Sequence, residues 1–158
     1  TTKVERRISG QWTMGEFKKE RGIEHMTKEQ VCEKLMEEAI HAREFSYSPY
    51  SKFKVGAALL AKNGKVYTGC NIENGAYMPS NCAERTAIFK AVSEGVREFE
   101  RIAIVGGNEE LIDCFPCGVC RQTMAEFCEP EFEILVGTGP DAYKIYTLAD
   151  LLPKSFKL

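Results

Sequence analysis

The first strong pattern in the chain is a helical repeat of apolar residues. Between residues 28 and 44 the apolar positions recur every three or four residues, which predicts a helix with one buried face. The segment TKEQ at its start, from Thr27 to Gln30, has the form of a capping box. We therefore expect the helix to begin directly after Thr27.

A hairpin and alternating helices and strands are predicted after this helix. Asn63-Gly64, the strongest short hairpin signal, lies between two expected strands, 53–61 and 65–72. The later predicted elements are a helix over 83–94, a strand over 101–107, a connector, a helix over 117–127, strands over 132–137 and 143–148, and a short helix with a tail over 149–158. This order predicts an α/β fold, a mixed sheet with helices on both faces.

The 158 residues divide into two parts. Residues 1–25 are polar and weakly patterned, and we interpret them as an N-terminal extension, for which a cloning junction at His25-Met26 is one explanation. Residues 26–158 are expected to form a single domain, because that length can bury a hydrophobic core of its own.

The charge and hydropathy of the chain weigh against two classes of partner. The net charge is −2, the pI is about 5.8, and no block rich in Lys and Arg stands out, so we expect no nucleic-acid partner. The longest apolar run, 55–61, is too short to cross a bilayer, and no apolar segment near the start resembles a signal peptide. We expect a cytoplasmic protein with no membrane partner.

The chain contains seven cysteines, which favour metal binding or catalysis over disulfides in a reducing compartment. Cys117 and Cys120 are three apart, so they share one face if a helix begins at Pro116. Cys82 stands at the start of the preceding predicted helix, and the strand between the two helices can bring both helix starts to one edge of the sheet. Three thiolates with one open position are typical of a catalytic zinc site.

Three charged residues accompany these cysteines. Glu84 need not be a ligand, because positions two apart on a helix do not face one another, but it could exchange protons with a water beside the metal. Arg85 and Arg121 could donate hydrogen bonds to the sulfurs. The N-termini of both helices would also stabilise negative charge there.

The cysteine spacing leaves an alternative open. Cys114, Cys117 and Cys120 form a C-x2-C-x2-C run that is also typical of iron–sulfur ligation, although no C-x3-C-P continuation follows. A structural metal module without catalysis therefore stays a second hypothesis. The remaining cysteines are interpreted as packed thiols: Cys32, Cys70, Cys114 and Cys128.

Taken together, these motifs resemble those of a known family. C-A-E followed by P-C-x-x-C is the signature of the zinc deaminases, in which a Glu that is not a ligand acts as acid and base. The segments FKVGAALL, GCNIEN, CAERTAIFKAVSEG, PCGVCRQ and LLPKSF look like those of the small homotetrameric cytidine deaminases of pyrimidine salvage. The resemblance runs from about Met26 to Phe156 and implies a three-layer α/β/α fold around a five-stranded mixed sheet.

The resemblance also implies a role for each matching residue. The implied roles are zinc ligation by Cys82, Cys117 and Cys120, proton transfer by Glu84, contact with the ribose hydroxyls by Asn71 and Glu73, packing on the pyrimidine by Phe53, a backbone N–H to the base carbonyl from Ala83, and aromatic contacts to a neighbouring subunit's site by Tyr77 and Phe156. One zinc ion per chain and a homotetramer with shared sites are implied in the same way.

The implied reaction is the zinc-dependent hydrolysis of cytidine and 2′-deoxycytidine to uridine and 2′-deoxyuridine with release of ammonia. A deaminase of another substrate remains an alternative: an aminated base in RNA, a guanine-type base or an aminonucleoside antibiotic. The NIEN segment favours a free nucleoside, because Asn and Glu two apart on a strand point to one face and can bond a sugar diol.

Overall fold

The computed structural model describes residues 25–158, so the predicted N-terminal extension lies outside the described residues except for residue 25. The elements in chain order are α1 (Lys28–Arg43), β1 (Lys54–Ala61), β2 (Val66–Cys70), α2 (Ala83–Ser93), β3 (Phe99–Gly107), β4 (Leu111–Ile112), α3 (Gly118–Phe127), β5 (Glu133–Gly139), β6 (Ala142–Thr147) and α4 (Leu148–Leu151). The predicted capping box is confirmed, since Thr27 and Gln30 exchange hydrogen bonds at the start of α1.

The strands form one mixed sheet in the order β2-β1-β3-β5-β6. β1 is antiparallel to β2 and β3, β5 is parallel to β3, and β6 is antiparallel to β5. The α/β class and the five strands of this path are confirmed. The structure adds a sixth strand, β4, which pairs with β3 through two residues inside the segment predicted as a connector. Two residues are too few for a period-two pattern, so the sequence carries no signal for β4.

The core lies on both faces of the sheet. α1 packs on one face, where Leu35 and Met36 meet Ala58 and Ala103 of the central strands. α2 and α3 pack on the other face. Their cluster includes Leu59 of β1 and Ile102 and Ile104 of β3, which are the sequence neighbours of Ala58 and Ala103. Because successive side chains of a strand point to opposite faces, β1 and β3 contribute to both clusters, which gives the three layers.

The sheet topology determines where α2 and α3 begin. β2 and β3 are each antiparallel to β1, so they run in the same direction and end at the same edge of the sheet. α2 follows β2 and α3 follows β3 and β4, so both helices start at that edge. Gly69 permits the close approach of β2 to α2, since a Cβ there would lie 2.4 Å from Ala83 O. Within residues 25–158, no helix combines the length and the hydropathy needed to cross a bilayer.

Candidate active site

Three cysteine sulfurs converge where α2 and α3 begin. Cys82 is the N-cap of α2, Cys117 is the N-cap of α3, and Cys120 lies in the first turn of α3. The Sγ atoms are 3.8 Å apart for Cys82 and Cys117 and 3.6 Å apart for Cys117 and Cys120. All three sulfurs lie within 4.8 Å of one another.

The donor set fits a tetrahedral zinc ion. Zinc–sulfur bonds of about 2.3 Å at tetrahedral angles separate two sulfurs by about 3.8 Å, close to the two distances above. Among residues 25–158 this is the only group of three or more metal-ligating side chains so close together. Cys114 is not a member of it, so the sulfurs do not follow the C-x2-C-x2-C run of the iron–sulfur alternative.

Hydrogen bonds and charge stabilise a thiolate in this cluster. The Cys120 thiol donates to Cys82, and Arg85 Nη2 donates to Cys82 Sγ at 3.4 Å; these contacts lower the pKa of Cys82 to about 5. The same bond, together with burial, raises the pKa of Cys120. Of these two sulfurs, Cys82 therefore carries negative charge more readily than Cys120.

The prediction that Arg121 donates hydrogen bonds to the sulfurs is wrong, because its hydrogen bonds go to backbone carbonyls. Its Nε donates to Pro116 O at 2.7 Å and its Nη1 to Leu151 O at 2.6 Å. The guanidinium thus ties the residue before Cys117 to the end of α4.

Glu84 lies in the first turn of α2 and is almost completely buried, with 3% of its surface exposed. Burial, with a smaller contribution from the nearby charge of Cys82, raises the pKa of its carboxyl group to about 7, although Arg85 opposes the rise. A group of this kind can hold or release a proton near neutral pH. It is not one of the clustered ligand atoms.

A cavity of about 320 Å³ opens beside the sulfurs and brings most of the predicted residues together. Its lining includes eight of the predicted residues: Phe53, Asn71, Glu73, Cys82, Ala83, Glu84, Arg85 and Cys117. The fully buried Cys120 stands behind this lining. Ala83 is the first residue of α2, where a backbone N–H has no partner within the helix.

Asn71 and Glu73 are held in place by the loop that precedes β1 and by β1 itself. Asn71 Nδ2 donates to Phe53 O at 2.8 Å, and its Oδ1 accepts from Val55 N–H at 2.8 Å. Glu73 Oε2 accepts from Tyr50 N–H at 2.9 Å. Both side chains therefore have fixed orientations at the wall of the cavity.

Tyr77 and Phe156 stand apart from the cavity lining. Tyr77 is 86% exposed and Phe156 is 63% exposed. Tyr77 also has a backbone φ of 61°, in the left-handed region, which turns the loop before Ser80. Neither aromatic ring is placed in the site of its own chain.

Some residues at the site were not assigned to it from the sequence, and three of them pack closely together. Cys114 and Phe115 line the cavity, and Gly106 of β3 lies behind it. A Cβ at Gly106 would lie 2.7 Å from Cys114 Sγ and 3.1 Å from Phe53 Cε1, so only glycine lets both side chains pack there. Two signals could have placed these residues near the cluster: the C-x2-C-x2-C run that includes Cys114, and the position of Phe115 directly before Pro116.

Comparisons with known proteins agree with this geometry. A family model described as "Cytidine and deoxycytidylate deaminase zinc-binding region" matches residues 29–136. A cytidine deaminase of Sporosarcina psychrophila is 52% identical over 124 residues, which cover 78% of this chain and 90% of that protein. A cytidine deaminase of Halalkalibacterium halodurans is 49% identical over 122 residues, 77% of this chain and 91% of that protein. The crystal structure of cytidine deaminase from Burkholderia pseudomallei superposes with a TM-score of 0.73 at 45% identity, covering 83% of this chain and 100% of the other.

Proposed function

This chain belongs to the cytidine and deoxycytidylate deaminase family. We propose that it deaminates cytidine in the cavity of about 320 Å³, with Glu84 as the group that transfers protons. The family makes the chain a zinc-binding hydrolase of the cytidine deaminase type. One observation carries the proposal: the clustered sulfurs and the buried carboxyl group of Glu84 border the same cavity.

The proposed zinc ligands are Cys82, Cys117 and Cys120, and three ligands would leave a fourth coordination position open for water or substrate. Zinc bound there would act as a Lewis acid and lower the pKa of a coordinated water towards about 7. Arg85 would stabilise the charge that remains on the three thiolates, through its hydrogen bond to Cys82.

Glu84 would transfer each proton of the reaction. Its carboxylate accepts a proton from the attacking water and delivers it to ring N3, which makes C4 of the base more electrophilic. The oxygen of that water forms a bond to C4. Glu84 then takes the second proton from the hydroxyl group now on C4 and passes it to the amino nitrogen, and the bond from C4 to that nitrogen breaks as the C4 carbonyl forms. The products are uridine and ammonia. Burial supports this role, because it keeps competing bulk water away from the carboxyl group.

Four residues would hold the nucleoside. Asn71 and Glu73 would bond the ribose hydroxyls, Phe53 would pack on the pyrimidine, and the Ala83 N–H would donate to the base carbonyl. Their common position at the cavity wall supports these roles. After its bonds to Phe53 and Val55, the amide of Asn71 still has a second N–H to donate.

Finer features of the function are also proposals. We propose that 2′-deoxycytidine is a second substrate, that the reaction serves pyrimidine salvage in the cytoplasm, and that the chain forms a homotetramer. In the tetramer, Tyr77 and Phe156 would reach a neighbouring subunit's site, and their exposure supports this. The acidic pI of about 5.8 supports a small nucleoside over a nucleic acid as substrate.

The test is ultraviolet monitoring of cytidine conversion with and without a zinc chelator. We expect turnover of cytidine that falls with the chelator and returns when zinc is added back. Assays of deoxycytidine, cytosine and dCMP alongside it would rank the substrates. No conversion of cytidine by the zinc-loaded protein would overturn the proposal.

A further inference from the structure

The carboxylate of Glu73 is held by a short loop before β1. Tyr50 N–H donates to its Oε2 at 2.9 Å, and Ser51 N–H lies 3.3 Å from each carboxylate oxygen. The Ser51 hydroxyl donates to Oε1. An ionised carboxylate has about four acceptor sites, so these bonds leave room for a further donor from the cavity.

The same hydroxyl also organises the chain that carries Phe53. Phe53 N–H donates to Ser51 Oγ at 3.0 Å. Between these two residues Lys52 has a φ of 61°, in the left-handed region that is uncommon for any residue but glycine. The bonds made by Ser51 therefore hold a strained bend, one end of which, Phe53, lines the cavity.

The Ser51 hydroxyl is thus shared by two residues of the cavity. It donates to Glu73 and accepts from the backbone of Phe53, so one side chain links the carboxylate and the aromatic ring that line the cavity. The bond from Ser51 is also the largest cause of the lowered pKa of Glu73, which keeps that carboxylate ionised and ready to accept.

We propose that Ser51 is a positioning residue for substrate binding, which orients Glu73 towards a sugar hydroxyl of the bound nucleoside, while the bond that it accepts from Phe53 N–H fixes the bend that carries it. The inference rests on the proposed function, since it needs a nucleoside in this cavity. It adds a residue that acts only through others and does not itself touch the substrate.

The experiment compares Ser51→Ala with the parent protein on cytidine and on 2′,3′-dideoxycytidine, which lacks the 2′- and 3′-hydroxyls that Glu73 would bond. With cytidine we expect kcat/KM to fall about tenfold, mainly through KM, because a bond to a charged group is lost. With the dideoxy analogue the loss should be about twofold or less, measured as kcat/KM or as a competitive inhibition constant. Ser51→Thr keeps a hydroxyl and should restore most of the cytidine activity.

Two further variants keep the test decisive. Ser93→Ala removes a hydroxyl that donates to Lys90 O at the far end of α2, and it should leave both substrates unaffected. Adding Ser51→Ala to Glu73→Ala should cost much less than Ser51→Ala costs alone, because the two residues would act as a unit. Equal losses on both nucleosides, or full additivity, would overturn the role of Ser51. Absence of cytidine turnover in the parent would instead overturn the proposed function.

Discussion

The Sγ atoms of Cys82 and Cys117 lie 3.8 Å apart, and each cysteine occupies the N-cap position of its own helix. Neither side chain makes the hydrogen bond to the helix backbone that Ser, Thr, Asp or Asn would make there. The absence of such a cap costs roughly 0.5–2 kcal/mol per helix. Metal binding by the two sulfurs would offset that cost, which makes the stability of α2 and α3 depend on the ion.

Zinc removal should therefore lower the stability of the whole domain. A ligand that binds only the folded state at about 100 times its Kd adds about 2.7 kcal/mol. We expect the thermal midpoint to fall by several degrees on chelation and to return with zinc, as measured by differential scanning calorimetry. A chelator that left the midpoint unchanged would show that the ion is not linked to folding.

Replacing one proposed ligand should give the same result without a chelator. Cys117→Ser should reduce the zinc content from one per chain to well below one and make the thermal midpoint insensitive to chelation. Cys70→Ser is the matched control, because Cys70 lies in β2 outside the cluster, where its thiol donates to Phe45 O. Elemental analysis measures the zinc content of both variants. Full zinc occupancy in Cys117→Ser would contradict its assignment as a ligand.

Arg85 should tune how tightly the ion is held. Arg85→Gln removes the 3.4 Å hydrogen bond to Cys82 and a positive charge beside the thiolates, so zinc affinity should fall about 10- to 100-fold. Competition with a chromophoric chelator measures the change. Arg97→Gln, at an exposed position after α2, is the control with unchanged affinity. If both variants bound zinc equally well, Arg85 would have no part in holding the ion.

Gly106 should be intolerant of even one methyl group. In Gly106→Ala the new Cβ would meet Cys114 Sγ at 2.7 Å and Phe53 Cε1 at 3.1 Å, so we expect a loss of about 1–3 kcal/mol and a raised KM for cytidine. Urea denaturation and steady-state kinetics measure the two effects. Gly118→Ala is the control for stability, since a Cβ there meets nothing within 4 Å.

A second substitution should relieve this overpacking. Adding Cys114→Ala to Gly106→Ala removes the sulfur that the new methyl group meets, so part of the lost stability should return. If the double variant lost as much free energy of unfolding as the two single variants together, the contact between these positions would not be the cause of the lost stability.

The start of α1 provides a test away from the site. Thr27→Ala removes one half of the capping box with Gln30 and should lower the free energy of unfolding by about 1 kcal/mol with unchanged zinc content. Thr123→Ala is the control, because the Thr123 hydroxyl only donates to Val119 O within α3. Urea denaturation of both variants is the measurement, and an equal loss in both would argue against the capping box.

The sequence predicted the fold well where a local signal exists. The capping box located the start of α1, and the Asn63-Gly64 turn located the hairpin of β1 and β2. Predicted boundaries differ from the structure by one or two residues at most ends, because helix and strand ends depend on neighbouring segments. β4 was not predicted, since its two residues pair only because the chain folds back after Gly107.

At the candidate site, too, the sequence predicted what local signals determine and missed the contacts that depend on tertiary packing. Cys82, Cys117 and Cys120 could be proposed as one cluster because each stands at a predicted helix start, and the parallel course of β2 and β3 brings those starts together. The partners of Arg121 could not be predicted, because Leu151 lies on a segment that reaches α3 only through tertiary packing. The packing of Gly106 behind the cavity likewise depends on how β3 lies against the loop after it, which no sequence period encodes.

In the proposed reaction Glu84 moves protons beside a metal ion held by the three cysteines. Its most direct test is Glu84→Gln, which keeps the size of the side chain and removes its ability to take up a proton. We measure zinc content and cytidine turnover on the same preparation. We expect one zinc per chain with turnover lowered by about 10²- to 10⁴-fold. Turnover close to that of the parent protein, with zinc bound, would contradict it.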